Sequence, residues 1–335
     1  TEREERSSIQ EITSWLCSDV WSNIVEFCDT KEWLQLSYTC QGINRFKFNR
    51  SLMSNKQRTL KSHFSKTDII HWFQMGKGTL FNVDLNSYSS VTDDHFQFLE
   101  GIHTLNMNLC TQITDKAFAH LKGIHTLHMG YCDKITGRAF EHLTGIHTLK
   151  MRMCRTITDN AFIHLDGIHT LDMSYCSRIT DSAFVHLEGI HKLYMGHCFQ
   201  ITDGAFVHLK GIHTLDMSGC KQITDNAFFH LKGIHTLNMS DCNQITDNAF
   251  FHLRGIRTLN MDICEQITDS SFVNLTSIVN LSLNWCKQES LQTEKLLGYL
   301  KNVQRLSWRK VTPVDDFELK LQRFVRSNSI RDCWL

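Results

Sequence analysis

Between residues 101 and 276 the apolar and polar positions follow one pattern that returns every 22 residues. In the copy that starts at Gly101, Leu105 and Met107 alternate with Thr104, Asn106 and Asn108. That is the period-2 signature of a short strand with one buried face. Ile113 then points inward, and Thr114-Asp115 opens a short helix. The threonine is placed to cap free amide groups, and the carboxylate sits at the positive helix end. Ala117, Phe118 and Leu121 form one apolar helical face, and Gly123 suits a left-handed cap. Such a helix cannot persist alone, so it must pack on its own strand and on the neighbouring copies. Cysteine marks the period from Cys110 through Cys132, Cys154, Cys176, Cys198, Cys220, Cys242 and Cys264 to Cys286. A fixed period of this size predicts a stacked solenoid.

Strand, loop, helix and return in 22 residues resembles a leucine-rich repeat, and Ile102, Leu105, Met107, Cys110, Ile113, Thr114 and Asp115 resemble the cysteine-containing class. That class runs a few residues longer, so the helices here should be tight. The resemblance implies an α/β horseshoe, with a parallel β-sheet on the concave face and short helices on the convex face. The first recognisable repeat is 79–100, with Tyr88 at the cysteine position, and the repeats extend over 79–298. The last copy, 277–298, keeps Ile278, Leu281, Leu283 and Cys286 but loses the Thr-Asp pair. A final strand from Val303 to Trp308 and an amphipathic helix carrying Phe317, Leu321, Phe324 and Val325 should close the stack within 299–335. Pro313, the sole proline, fits the start of that helix.

Ahead of the repeats the pattern changes. Residues 1–11 are polar and expected to be frayed. Residues 12–48 are helical in pattern and dense in large apolar groups, and 49–78 read as a connector and a degenerate first coil. Within 12–48, Leu16, Asp19, Val20, Trp21, Ile24, Phe27, Asp29, Leu34, Tyr38, Cys40, Ile43 and Phe46 resemble an F-box, with Cys17 where that family has proline. The resemblance implies that a small all-α domain docks on a Skp-type adaptor, and through it on a cullin, using Leu16, Val20, Trp21, Ile24, Phe27, Leu34 and Ile43. A plain helical cap shielding the first repeat is the competing reading.

Charge and cysteine narrow the function. Lys+Arg and Asp+Glu balance at 35 each, which argues against nucleic acid or anionic membrane as a partner held by bulk electrostatics. The charged start, Thr1-Glu2-Arg3-Glu4-Glu5-Arg6, carries no apolar signal segment, and no run reaches the ~20 apolar residues of a membrane span. Thirteen cysteines without a secretory signal suggest a reduced compartment. They are expected to be small buried side chains with thiols on loop backbone, not disulfides.

Fourteen of the 19 histidines stand in two columns, one from His103 to His235 and one from His120 to His252. No thiol lies at short ligand spacing from either column in sequence, and closed zinc sites want four ligands, so no metal or other cofactor is expected. Stacked imidazoles would instead repel once protonated, which predicts acid sensitivity.

The outward strand positions vary on this copied frame, as a binding surface requires. They supply the candidate target-binding residues His128, Tyr131, Lys150, Arg152, Met153, Asp172, Tyr175, Tyr194, His197, Asp216, Asp241 and Trp285. Aromatic and basic groups gather in the middle copies and acidic ones follow. No nucleophile–base pair or phosphate loop stands out. The F-box and repeat resemblances together imply a non-catalytic substrate receptor of an SCF-type (cullin-RING) ubiquitin ligase, a monomer within its complex, acting in cytoplasm or nucleus on an unidentified target. A repeat scaffold or adaptor without a ligase role is the alternative.

Overall fold

The computed structural model describes residues 58–59, 82–286, 294–309, 316–328 and 330. The seven adaptor-facing residues expected from the F-box resemblance, Leu16 through Ile43, lie outside the described residues, as does Pro313. The chain divides into two compact units, Thr1–Ile146 and His147–Leu335. In the first unit, strands β1 (Arg58–Thr59), β2 (Asn82–Asp84), β3 (Thr104–Asn106) and β4 (Thr126–His128) pair in parallel in chain order. In the second unit β5 (Thr148–Lys150), β6 (Thr170–Asp172), β7 (Lys192–Tyr194), β8 (Thr214–Asp216), β9 (Thr236–Asn238), β10 (Thr258–Asn260), β11 (Asn280–Ser282) and β12 (Arg305–Ser307) do the same.

The register follows from the period. Leu149, Leu171, Leu193, Leu215, Leu237, Leu259, Leu281 and Leu306 stand in one row, each opposite the next. A slip of one residue would turn this whole row to solvent, so burial selects a single pairing. Every strand of the second unit is three residues long with its centre buried, as the alternation predicts. The return segments are 3-10 helices of six or seven residues, such as Asp115–His120 and Asp181–Leu187. A 3-10 helix rises ~2.0 Å per residue against ~1.5 Å for an α-helix. A 22-residue coil has few residues with which to cross its back, and the steeper rise covers the distance. The tight helices expected from the short repeat are found in this form.

The core is made of columns. Phe96, Phe118, Phe140, Phe162, Phe184, Phe206, Phe228, Phe250 and Phe272 are all at most 2% exposed, and Ala, Leu, Ile and Met columns surround them. The cysteine column lies inside. The described cysteines are buried and form no disulfide, and the thiols of Cys110, Cys132, Cys176, Cys198, Cys220, Cys242, Cys264 and Cys286 each donate to a carbonyl 25 residues back, as Cys198 Sγ does to Met173 O at 3.2 Å. Burial pushes these thiols up, to about 11 for Cys110 and Cys286 and about 12 for Cys198, Cys220 and Cys264. At the C-terminal end, α1 (Glu294–Tyr299) and a 3-10 turn, Leu300–Asn302, take the place of the Thr-Asp helix start, and Leu296 and Leu300 are buried. Helix α2 (Asp316–Ser327) follows β12, with Leu321 and Val325 buried.

Candidate functional site

Three columns of variable residues lie side by side where each strand of the second unit runs into its turn. The first column, at the strand end, is Lys150, Asp172, Tyr194, Asp216, Asn238 and Asn260, one residue per coil in direct register. Four of these six are Asp or Asn for a local reason. Asp172 Oδ1 accepts the Ser174 N–H at 3.0 Å and its hydroxyl at 2.7 Å, and Asp216 accepts the Ser218 N–H at 3.0 Å. Asn238 and Asn260 do the same for Ser240 and Asp262. Each side chain closes an Asx-type turn over the N–H two residues on. Asp172 and Asp216 therefore hold turns as well as presenting charge. Lys150 and Tyr194 depart from that turn chemistry, and they bracket Asp172.

The second column is Arg152, Ser174, Gly196, Ser218, Ser240 and Asp262, and the third is Met153, Tyr175, His197, Gly219, Asp241, Ile263 and Trp285. All seven residues of the third have positive φ, between 55° and 67°. Only glycine adopts this region without strain; other residues meet a cost of ~1–2 kcal/mol. The inter-coil ladder compels it. The Tyr175 N–H donates to Gly196 O at 2.8 Å and the His197 N–H to Ser218 O at 2.7 Å, so the sheet bonding continues to the third residue past the strand while the chain turns to bury the next cysteine. A row of large side chains is thus held in a left-handed conformation that local preference alone would give to glycine. Leu109 and Tyr131 occupy the same position in the first unit, at φ 61° and 63°.

Within this frame Arg152, Tyr175 and His197 form a stack. The Arg152 guanidinium lies 4.6 Å from the Tyr175 ring centroid. Tyr175 and His197 stack at 4.4 Å and 23°, and Phe199 meets His197 edge-on at 5.9 Å. The stack ends on Gly219. A Cβ there would sit 2.5 Å from His197 Nδ1, so the imidazole fills the space that every other residue in the column uses for its own side chain. The structure therefore brings together Arg152, Tyr175 and His197 of the expected set. Lys150, Met153, Asp172 and Tyr194 belong to the same coils. Asp241 is drawn elsewhere, to Lys221 Nζ at 3.4 Å and Asn243 Nδ2 at 3.2 Å. Trp285 is 41% exposed, five coils beyond Tyr175. His128 and Tyr131 belong to the first unit.

Sequence reasoning missed Phe199, Gly219 and a polar ladder. Phe199 is 48% exposed in a column otherwise made of polar or charged residues, such as Arg155, Ser177 and Lys221. That lone apolar residue was the available signal. In the ladder, Asp181 Oδ1 accepts the Thr202 N–H at 2.8 Å and Oδ2 the Thr202 hydroxyl, and Asp159, Asp203, Asp225 and Asp247 repeat the bond with Thr180, Thr224, Thr246 and Thr268. The expected capping role of threonine is met in most coils: Thr202 Oγ1 accepts the Gly204 N–H at 3.3 Å. The aspartate stands in the first turn of its own helix, as expected, and its carboxylate also reaches the threonine of the next coil. Among the described residues no group of three or more His, Cys, Asp or Glu could hold a metal ion, and no helix is long and apolar enough to cross a membrane.

Residues 71–191 and 155–279 match the model of the BspA type leucine rich repeat region, in six copies. No curated protein matches the chain. Among solved structures, it is similar to that of a TLR13–ssRNA13 complex, at 18% identity and a TM-score of 0.56, over 77% of this chain and 41% of that one. It also resembles the yeast Rad7 and Elc1 complex, at 15% identity and a TM-score of 0.47, over 92% and 89% of the two chains. The Toll–Spatzle complex of Drosophila gives 14% identity and a TM-score of 0.39, over 74% and 42%. The chain thus spans about two fifths of the TLR13 and Toll chains. The TLR13 likeness is one of fold. The matching repeat model is the BspA type. The cysteine column and the Ile-Thr-Asp string, which resembled the longer class, are accounted for here by packing: thiol to carbonyl, and carboxylate to the next threonine.

Proposed function

Since the chain belongs to the BspA-type leucine-rich-repeat family, a fold used as a non-catalytic interaction scaffold, we propose that it recognises a protein partner through the sheet side of its second unit. The observation that carries this is the Arg152–Tyr175–His197 stack on its left-handed backbone. Arginine and tyrosine dominate interface hot spots because they present large, rigid, amphipathic surfaces. Here two of them are prearranged, and Lys150 and Tyr194 replace turn-forming residues beside them. A partner with an acidic and aromatic patch complements this set. The RNA named with TLR13 is not carried over, since a chain with 35 basic and 35 acidic residues lacks the cationic surplus that backbone phosphates demand.

The finer reading is that of a substrate receptor in an SCF-type ligase. Its support is the F-box resemblance over 12–48, through which Trp21 and Ile24 would contact a Skp-type adaptor in a eukaryotic cytosol or nucleus. Two measurements separate the readings. Proximity labelling with the intact chain and with Lys150→Glu/Arg152→Glu identifies proteins held by the stack; an unchanged labelled set overturns the site. Purified Skp-type adaptor should bind the intact chain and lose binding to Ile24→Asp. Failure of the intact chain to bind adaptor leaves a scaffold with no ligase role.

A further inference from the structure

The backs of the coils carry a feature that the sheet-side site does not use. The residue after each core phenylalanine is exposed, and in the second unit it is apolar in six consecutive coils: Ile163, Val185, Val207, Phe229, Phe251 and Val273. These side chains are between 44% and 64% exposed. The first unit provides an internal control. There the same exposed position holds Gln97, Ala119 and Glu141, so the coil does not demand an apolar residue at this place. A contiguous apolar row on a surface otherwise made of histidine, asparagine, serine and charge marks an interaction site.

The row is one side chain wide. At the ~4.8 Å spacing of adjacent strands, five steps cover roughly 24 Å. The step is close to the ~5.4 Å pitch of an α-helix, and the length equals about 16 helical residues. A helix with one apolar stripe, lying along the row, meets a new coil at each turn. The charge beside the row fixes the character of that helix. The residue after each coil's Leu sits next to the following imidazole: Asp166 lies 2.9 Å from His186 and Glu188 lies 3.1 Å from His208. In the next three coils that place is basic, held by Lys210, Lys232 and Arg254. Phe229 also packs on His252 at 4.3 Å, the imidazole for which Lys232 stands at the place that Asp166 and Glu188 hold for His186 and His208.

We propose that this row is the docking surface for an amphipathic α-helix of a partner protein, with acidic residues flanking its apolar stripe where it meets Lys210, Lys232 and Arg254. The proposal does not depend on the sheet-side site. The test uses the full chain and a labelled synthetic 18-residue peptide with leucines on one helical stripe and glutamates beside them. A lysine-flanked version and a version with scrambled leucines serve as comparisons, and fluorescence anisotropy is the readout. The glutamate peptide should bind at least tenfold more tightly than either comparison. Phe229→Ser/Phe251→Ser should weaken it at least tenfold with the melting temperature unchanged, since both side chains are exposed. Lys210→Glu/Lys232→Glu should reverse the preference towards the lysine peptide, while Arg152→Glu should change nothing. Equal binding of the scrambled peptide, or no effect of the phenylalanine pair, overturns the proposal. So does a dimer, or binding to vesicles of phosphatidylserine and phosphatidylcholine, that the phenylalanine pair abolishes in place of peptide binding.

Discussion

Asp181 shows how a residue copied for local reasons comes to act between coils. Its carboxylate takes both the backbone N–H and the hydroxyl of Thr202, and hydrogen bonds to a charged group contribute ~1.5–3 kcal/mol. Asp181→Ala should cost about 2 kcal/mol by chemical denaturation, with the loss of amide-exchange protection centred on Thr202. Gly219 is the opposite case, where absence of a side chain is what the structure uses. Gly219→Ala places a methyl 2.5 Å from His197 Nδ1 in a residue with φ +67°, so it should destabilise by ~1–2 kcal/mol and shift the His197 ring resonances. Gly211→Ala, with φ +82° and open space around it, bears the backbone cost alone and leaves those resonances in place. The ladder cysteines complete this scale. With thiols pushed up to about 11 or 12 and buried, they form almost no thiolate at pH 8. A chain with Cys17, Cys28, Cys40 and Cys333 changed to serine should give no reaction with a disulfide reagent until it is denatured.

At the scale of the element, the histidine row beside the strands is a stack in its own right. His147, His169, His191, His213 and His235 lie 4.5 to 4.8 Å apart, and the Nδ1 atoms of His169, His213 and His235 meet the hydroxyl of the following threonine. Desolvation, then the neighbouring imidazoles His147 and His191 and the Lys192 ammonium, hold His169 below the usual 6.5. The unfolded chain then binds the proton first. Stability from this group is complete above pH 6.5 and falls as the pH drops from there through the lowered folded value. The melting temperature should be lower at pH 5.5 than at 7.5, and His169→Gln should flatten the difference. A curve flat across that range in the unaltered chain refutes the repulsion argument.

For the whole chain, the repeat architecture sets how damage spreads. Each coil leans on its two neighbours, so stability is a sum of coil and interface contributions. Phe184 is fully buried in the second unit, and truncating such a ring costs ~3–5 kcal/mol. Phe184→Ala should therefore open several adjacent coils of that unit together. Hydrogen exchange should show lost protection spreading from 181–187 into the flanking coils and fading towards β12, whereas a loss confined to one coil contradicts nearest-neighbour coupling.

The period, the strand–helix coil, the parallel stack and the buried columns were legible in the sequence, because burial acts on every copy alike and leaves a 22-residue signature. The repeat pattern alone places Leu149, Phe184 and Cys198 inside, where all three are buried. The outward columns were legible as variable, and Arg152, Tyr175 and His197 could be chosen from them by residue type. That these three form one stack, while Asp172 and Asp216 close turns and Asp241 turns to Lys221, depended on contacts between coils 22 residues apart. So did the aspartate that caps its neighbour's threonine and the left-handed conformation of the third column, for the inter-coil hydrogen bonds outweigh the local backbone preference of tyrosine, methionine or isoleucine. The apolar row from Ile163 to Val273 carries the same lesson. Its letters were in the sequence beside the core phenylalanines, but only the packed 3-10 turn determines that one residue of each pair is buried and the next faces solvent.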